Sequence, residues 1–245
     1  MGGGTVENRV RREWEPKMRM PTMPRIGVAT ALFAMSLVLP AAARAIPIAG
    51  SGPLGSFEGT FDYDDVTDTV LVTLMNTSDP LNGGFITAFA FNLPIDSAAD
   101  AELVAPPLPL VTDTDFVLMF GDNSINAAPL GSFDIGATTD TFGAPPPSWL
   151  GGGDPSLGIG VGATASFAFH LIGAENAGLS AEVLLSELSF MQDGSDGYPF
   201  AVRFRGFEDD GSDKVVGGVV PEPGTLLLLG GGLTALAMRR RRPRV

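Results

Sequence analysis

Three acidic groups carry the sequence's best case for chemistry. Asp62, Asp64, Asp65 and Asp68 stand close together near the start of the chain's middle part. Asp193-Gly194-Ser195-Asp196-Gly197 and Glu208-Asp209-Asp210-Gly211-Ser212-Asp213 come later. Ca2+ takes roughly six to eight oxygen ligands, and acidic loops supply them as carboxylates and carbonyls. Glycine permits the tight turns that aim such oxygens at one point. Asp62, Asp64, Asp193, Asp196, Asp209 and Asp213 are therefore the candidate ligands for a calcium ion. None of the groups has the EF-hand spacing, with acids at alternate positions and a closing Glu. Asp, Gly and Ser are also what solvated turns are made of, so both readings stand.

Other chemistries find less support. His170 is the single histidine, and in Phe169-His170-Leu171 it alternates with apolar neighbours, so it is expected to face solvent from a strand. A catalytic triad needs a histidine held between a carboxylate and a nucleophile. No Gly-x-Ser-x-Gly elbow accompanies it. Paired carboxylates can hydrolyse glycosides across a sugar-binding cleft, but in so acidic a chain acid pairs arise by chance. Trp149, in a Pro/Gly-rich loop, is either a sugar-stacking platform or a loop anchor. Gly158-Ile159-Gly160-Val161-Gly162 lacks the dinucleotide-binding spacing. Arg203 and Arg205 alternate on one strand face and are expected to pair with nearby acids.

The elements that must position these residues read as strands. Ser56–Tyr63 alternates, Thr69–Met75 is rich in β-branched residues, and Asn76–Gly84 between them and the next strand is dense in turn formers. Phe85–Leu93 follows, with Phe85, Phe89 and Phe91 expected on one face. Phe116–Phe120 is a continuous apolar run, as for a strand covered on both faces. Ser132–Ile135, Thr164–Ile172 and Phe200–Phe207 add three more, and Ala181–Phe190 fits either a strand or a short helix. About eight short strands with Pro/Gly-rich connections predict an all-β fold: a single antiparallel β-sandwich, with a jelly roll or barrel as the variant.

Composition agrees. The 32 Gly and 20 Pro residues disfavour long helices. With no cysteine, disulfides and thiolate chemistry are excluded. Between Ile46 and Val219 stand 24 Asp and Glu residues against three cations, Arg203, Arg205 and Lys214. Such a body repels nucleic acid and anionic lipid, so no nucleic-acid partner is expected. The cations are otherwise concentrated at the two ends.

Both ends read as address labels. Arg19 and Arg25 precede the apolar run Ile26–Leu39; Pro40 breaks it, and Ala43-Arg44-Ala45 fits the small-x-small pattern of signal peptidase. Cleavage is expected after Ala45. Residues 1–17 do not resemble a signal and fit a start codon placed too early, which leaves 18–45 as the signal peptide and 46–218 as the acidic domain. At the other end, Val220-Pro221-Glu222-Pro223-Gly224 precedes the apolar run Thr225–Met238 and the cluster Arg239-Arg240-Arg241-Arg242. Fourteen helical residues rise about 21 Å, short of the roughly 30 Å hydrocarbon core. The segment is thus a marginal transmembrane anchor, with its arginines placed in the cytoplasm by the positive-inside rule.

This tripartite end, residues 219–245, resembles the PEP-CTERM sorting domain of Gram-negative bacteria. The resemblance implies that Pro221, Glu222 and Pro223 are a processing motif recognised by a membrane-embedded exosortase. It also implies an association with exopolysaccharide and biofilm matrix. The chain is then expected to be exported, held transiently at the inner membrane, and passed to the cell surface or beyond. Three functions fit: a non-enzymatic structural matrix protein, a carbohydrate-binding or calcium-dependent adhesive module, and a secreted hydrolase. The partners expected are signal peptidase, exosortase, the membrane and an exopolysaccharide, with Ca2+ the one candidate cofactor.

Overall fold

The computed structural model describes residues 45–94, 98–104, 115–139, 147–151, 153–173 and 178–221. The expected signal helix and C-terminal membrane helix lie outside these residues. Eleven strands form in chain order: β1 (Ile46–Ser51), β2 (Ser56–Asp64), β3 (Thr69–Asn76), β4 (Gly83–Phe91), β5 (Asp100–Val104), β6 (Val117–Asn126), β7 (Ser132–Thr138), β8 (Ile159–Gly160), β9 (Thr164–Ile172), β10 (Phe200–Phe207) and β11 (Ser212–Val219). The described helices are one 3-10 turn at Pro155–Leu157 and one α-helical turn, α1, at Ala181–Leu184. The all-β antiparallel expectation agrees with this architecture.

The strands run β5-β9-β3-β2-β1-β11-β10-β4-β7-β6 in one path, with β8 attached to β4. Every described pairing is antiparallel. The expected sandwich of two sheets is instead one sheet bent over on itself and nearly closed. β1 and β11 join the two halves through Ile48↔Val219 and Ala49↔Gly218. β5 and β6, the two ends of the path, approach each other without a ladder between them.

The space between the two halves is filled largely by phenylalanine. Phe61 of β2 meets Phe91 of β4 edge-on, 5.1 Å between ring centres. Phe89 of β4 lies 4.7 Å from Phe167 of β9, and Phe91 lies 5.5 Å from Phe169. Such ring pairs add about 0.5–1.5 kcal/mol each beyond their buried area. Without disulfides, this apolar contact is the main cohesion of the fold. A smaller cluster lies on the outer face of the second half, where Ala88, Ala90, Met119, Phe133 and Ala201 are roofed by Trp149.

One reading of strand faces needs correction. Phe85 does not share a face with Phe89 and Phe91. Arg203 pairs with Ala88, but the next pair is Phe204 with Ile86, so Thr87 is an extra residue in β4. A bulge reverses the alternation beyond it, and Ile86 takes the inward place instead. The run Phe116–Phe120 is apolar on both sides because each face has its own cluster: Leu118 and Phe120 pack on the inner core, Met119 on the outer one. The strand is nonetheless the terminal one of the path. The Ala181–Phe190 stretch resolves as a single helical turn capped by Ser180, whose Oγ accepts from Val183 N at 3.2 Å. Ala181, Leu184 and Leu185 turn inward, and Leu188 stays outside.

Candidate functional site

The two ends of the β-body meet on adjacent strands. β1 begins at Ile46, directly after the expected cleavage residue Ala45. β11 ends at Val219, and one further bond follows: Val220 N donates to Pro47 O at 2.9 Å. Ile48 between them is buried and belongs to the inner core. In an antiparallel strand, one residue's N–H and C=O point to the same side. Pro47 therefore turns its missing donor toward β11 where that ladder ends, a position at which proline is tolerated. Pro221 is the first residue past the last bond, and it is exposed. Ala43, Glu222, Pro223 and Arg239–Arg242 lie outside the described residues.

The acidic groups fall at separate places. Asp62 and Asp64 sit at one end of β2. Asp213 reaches the other end, where its Oδ2 accepts from Leu54 N at 2.9 Å and Gly55 N at 3.0 Å. Eight residues of strand, about 26 Å, separate Asp64 from Ser56. Asp193 and Asp196 are on a third segment, before β10. Among the described residues, no group of three acid or histidine side chains is placed to hold a metal ion. Several of the candidate oxygens instead hold turns. Asp64 accepts from Val66 N and Thr67 Oγ1, Asp193 from Ser195 N and Oγ, and Asp209 from Gly211 N. The hydroxyl bonds, and then the backbone ones, lower the pKa values of Asp64 and Asp193 from the ordinary carboxylate value.

His170 faces outward from β9, as its alternation predicted. Its Nδ1 lies 3.0 Å from Glu102 Oε1 on the neighbouring β5, directly across the ladder. Trp149 is only 2 % exposed and anchors its loop, so the sugar-platform reading of that ring does not hold. Arg203 and Arg205 clamp the same loop. Arg203 donates to Trp149 O at 2.7 Å and Gly151 O at 3.0 Å; Arg205 donates to Gly151 O and Gly153 O. Strand spacing alone foretold a surface role among acids, not this grip on main-chain carbonyls.

One buried polar residue escaped notice as more than a turn former. Asn76 is fully buried. Its Nδ2 donates to Gly84 O at 3.1 Å and Ile159 O at 2.9 Å, and its Oδ1 accepts from Ser78 N. It knots β3 to β4 and β8 where the chain crosses between the halves. Gly83 and Gly84, at φ +68° and +90°, make the left-handed entry into β4 at the end of the turn-forming segment Asn76–Gly84.

No curated protein and no solved structure matches the chain. The family model of the PEP-CTERM protein-sorting motif matches residues 219–242. That span begins with the last residue of β11, so the motif is continuous with the sheet. The motif implies an exported protein targeted to an exosortase and sorted to the cell envelope. Over residues 219–242 the chain thus carries a PEP-CTERM protein-sorting motif.

Proposed function

We propose that the protein is a non-enzymatic structural component of the cell surface or extracellular matrix, associated with exopolysaccharide or biofilm. The observation carrying this reading is the direct junction of a nearly closed acidic β-body with the sorting motif: Val220 is still bonded to Pro47, and Pro221 follows exposed. Val220 and Thr225 are five residues apart, at most about 18 Å in any conformation. With Thr225–Met238 in the membrane, the body is held within that reach of the bilayer until the motif is processed.

In this reading signal peptidase acts after Ala45, and exosortase acts near Pro221-Glu222-Pro223. Arg239–Arg242 hold the tail on the cytoplasmic side. His170 is engaged with Glu102, and Asp64 and Asp193 hold turns, which supports a structural role. No cofactor is needed, and melting in Ca2+ and in a chelator is expected to coincide. Intact-mass analysis of envelope and matrix fractions tests the reading. The expected species starts near Ile46 and lacks the arginine cluster; full-length protein confined to the cytosol would overturn it.

A further inference from the structure

An open groove of about 380 Å³ lies between the β6–β7 turn and the segment that follows α1. Phe190 lines it. It is 56 % exposed, and it is the one aromatic among the exposed large apolar residues described. The exposure is not looseness. Phe190 N donates to Ser132 O at 2.9 Å, and Ser132 N donates to Phe190 O at 3.0 Å. Both main-chain groups are fixed while the ring stands in water, an arrangement that costs free energy unless something covers it.

Polar groups with unused capacity line the same groove. Asn126 Oδ1 is taken by Ala128 N, which leaves its amide N–H groups without a partner among the described residues. Asp193 Oδ1 accepts from Ser195, and Oδ2 has no such bond. The Gln192 amide lines the groove, is exposed, and has no hydrogen bond among the described residues. The opposite wall is braced by Lys214, whose ammonium donates to Ala128 O.

We propose that this groove binds a neutral sugar residue of a glycan. A pyranose has an apolar C–H face and a rim of hydroxyls. The face matches the Phe190 ring; the rim matches the amide donors of Asn126 and Gln192 and the free acceptor of Asp193. Asp193 and the strongly acidic body disfavour uronate and sulfated sugars. A purely apolar ligand would leave these rim groups desolvated and unpaired. The inference deepens the matrix-associated reading and rests on it only for the source of the sugar.

The test uses the full chain in a detergent without sugar headgroups. Neutral gluco-, manno- and galacto-oligosaccharides are titrated against an oligogalacturonate, with binding followed by calorimetry and by ligand NMR. At least one neutral oligosaccharide is expected to saturate, with the oligogalacturonate at least tenfold weaker. Phe190→Ala should weaken binding at least tenfold at an unchanged melting temperature, and Phe190→Trp should retain it. Gln192→Ala, an exposed change, supplies a second readout and should weaken binding severalfold. Absence of saturation by every neutral oligosaccharide, or affinity indifferent to both Phe190→Ala and Gln192→Ala, would overturn the proposal. Matrix-located protein that binds no sugar would refute the groove alone; sugar-binding protein absent from the matrix would refute only the wider reading.

Discussion

Val220 donates its main-chain N–H to the carbonyl oxygen of Pro47 at 2.9 Å, which joins the second residue of the sorting motif to the second residue of the expected mature chain. The first residues after the expected cleavage point and the start of the sorting motif are thus held by one ladder, and β1 is the strand that closes it. Ile48 is the buried apolar contact beneath that ladder. Ile48→Ala is expected to cost about 2–4 kcal/mol by cavity formation, read as a lower denaturant midpoint. Amide exchange at Val219 and Val220 should speed up in the same variant.

Asn76 offers a cleaner polar test, because its partners are all main-chain groups. Asn76→Ala strips Gly84 O and Ile159 O of their described donor in a buried place. Each orphaned group costs about 1–3 kcal/mol. A total loss of about 3 kcal/mol in denaturant unfolding is expected. Asn76→Asp should be at least as damaging, since a carboxylate cannot donate to either carbonyl.

Tyr63 sets an alkaline limit on stability. Burial, and then the hydrogen bond its phenol donates to Asp68 at 3.1 Å, push its pKa well above the ordinary value near 10. The folded state holds the proton more tightly than the unfolded chain. The stabilisation is therefore whole below about pH 10, and it is lost as pH rises above that value toward the raised one. Tyr63→Phe should flatten this loss. In a Tyr198→Phe background Tyr63 is the only tyrosine, and its phenolate absorbance should appear only well above pH 10.

Thr164–Ile172 and Phe200–Phe207 could be bounded from sequence because their alternation is uninterrupted and rich in strand-forming residues. β1, β5 and β11 were not foreseen, for local reasons: Pro47 interrupts the first, Asp100 and Glu102 stand in the second, and Gly217 and Gly218 dilute the third. β5 depends on the distant β9, and β1 and β11, besides their hairpin neighbours, pair with each other across the length of the domain, as in Ile48↔Val219. Closure of the sheet was hidden for the same reason. At the site level, the sorting motif was legible because it is a linear signal read in order. The groove was not, since it is made by the Ser132–Phe190 bridge between segments that no local pattern relates.

The Arg203 clamp can be followed through the tryptophan it holds. The chain has two tryptophans, Trp14 and Trp149, so a Trp14→Phe background isolates the buried one. Arg203→Met keeps the stem but removes the charged donor to Trp149 O, while Arg205 still reaches Gly151 O. A hydrogen bond from a charged donor contributes about 1.5–3 kcal/mol, so a loss of about 2 kcal/mol is expected. If the clamp holds the loop down, Trp149 emission should shift to the red and become open to quenchers in Arg203→Met, but not in Lys214→Met. Unchanged emission with unchanged stability would mean that the apolar contacts of Trp149 suffice without the clamp.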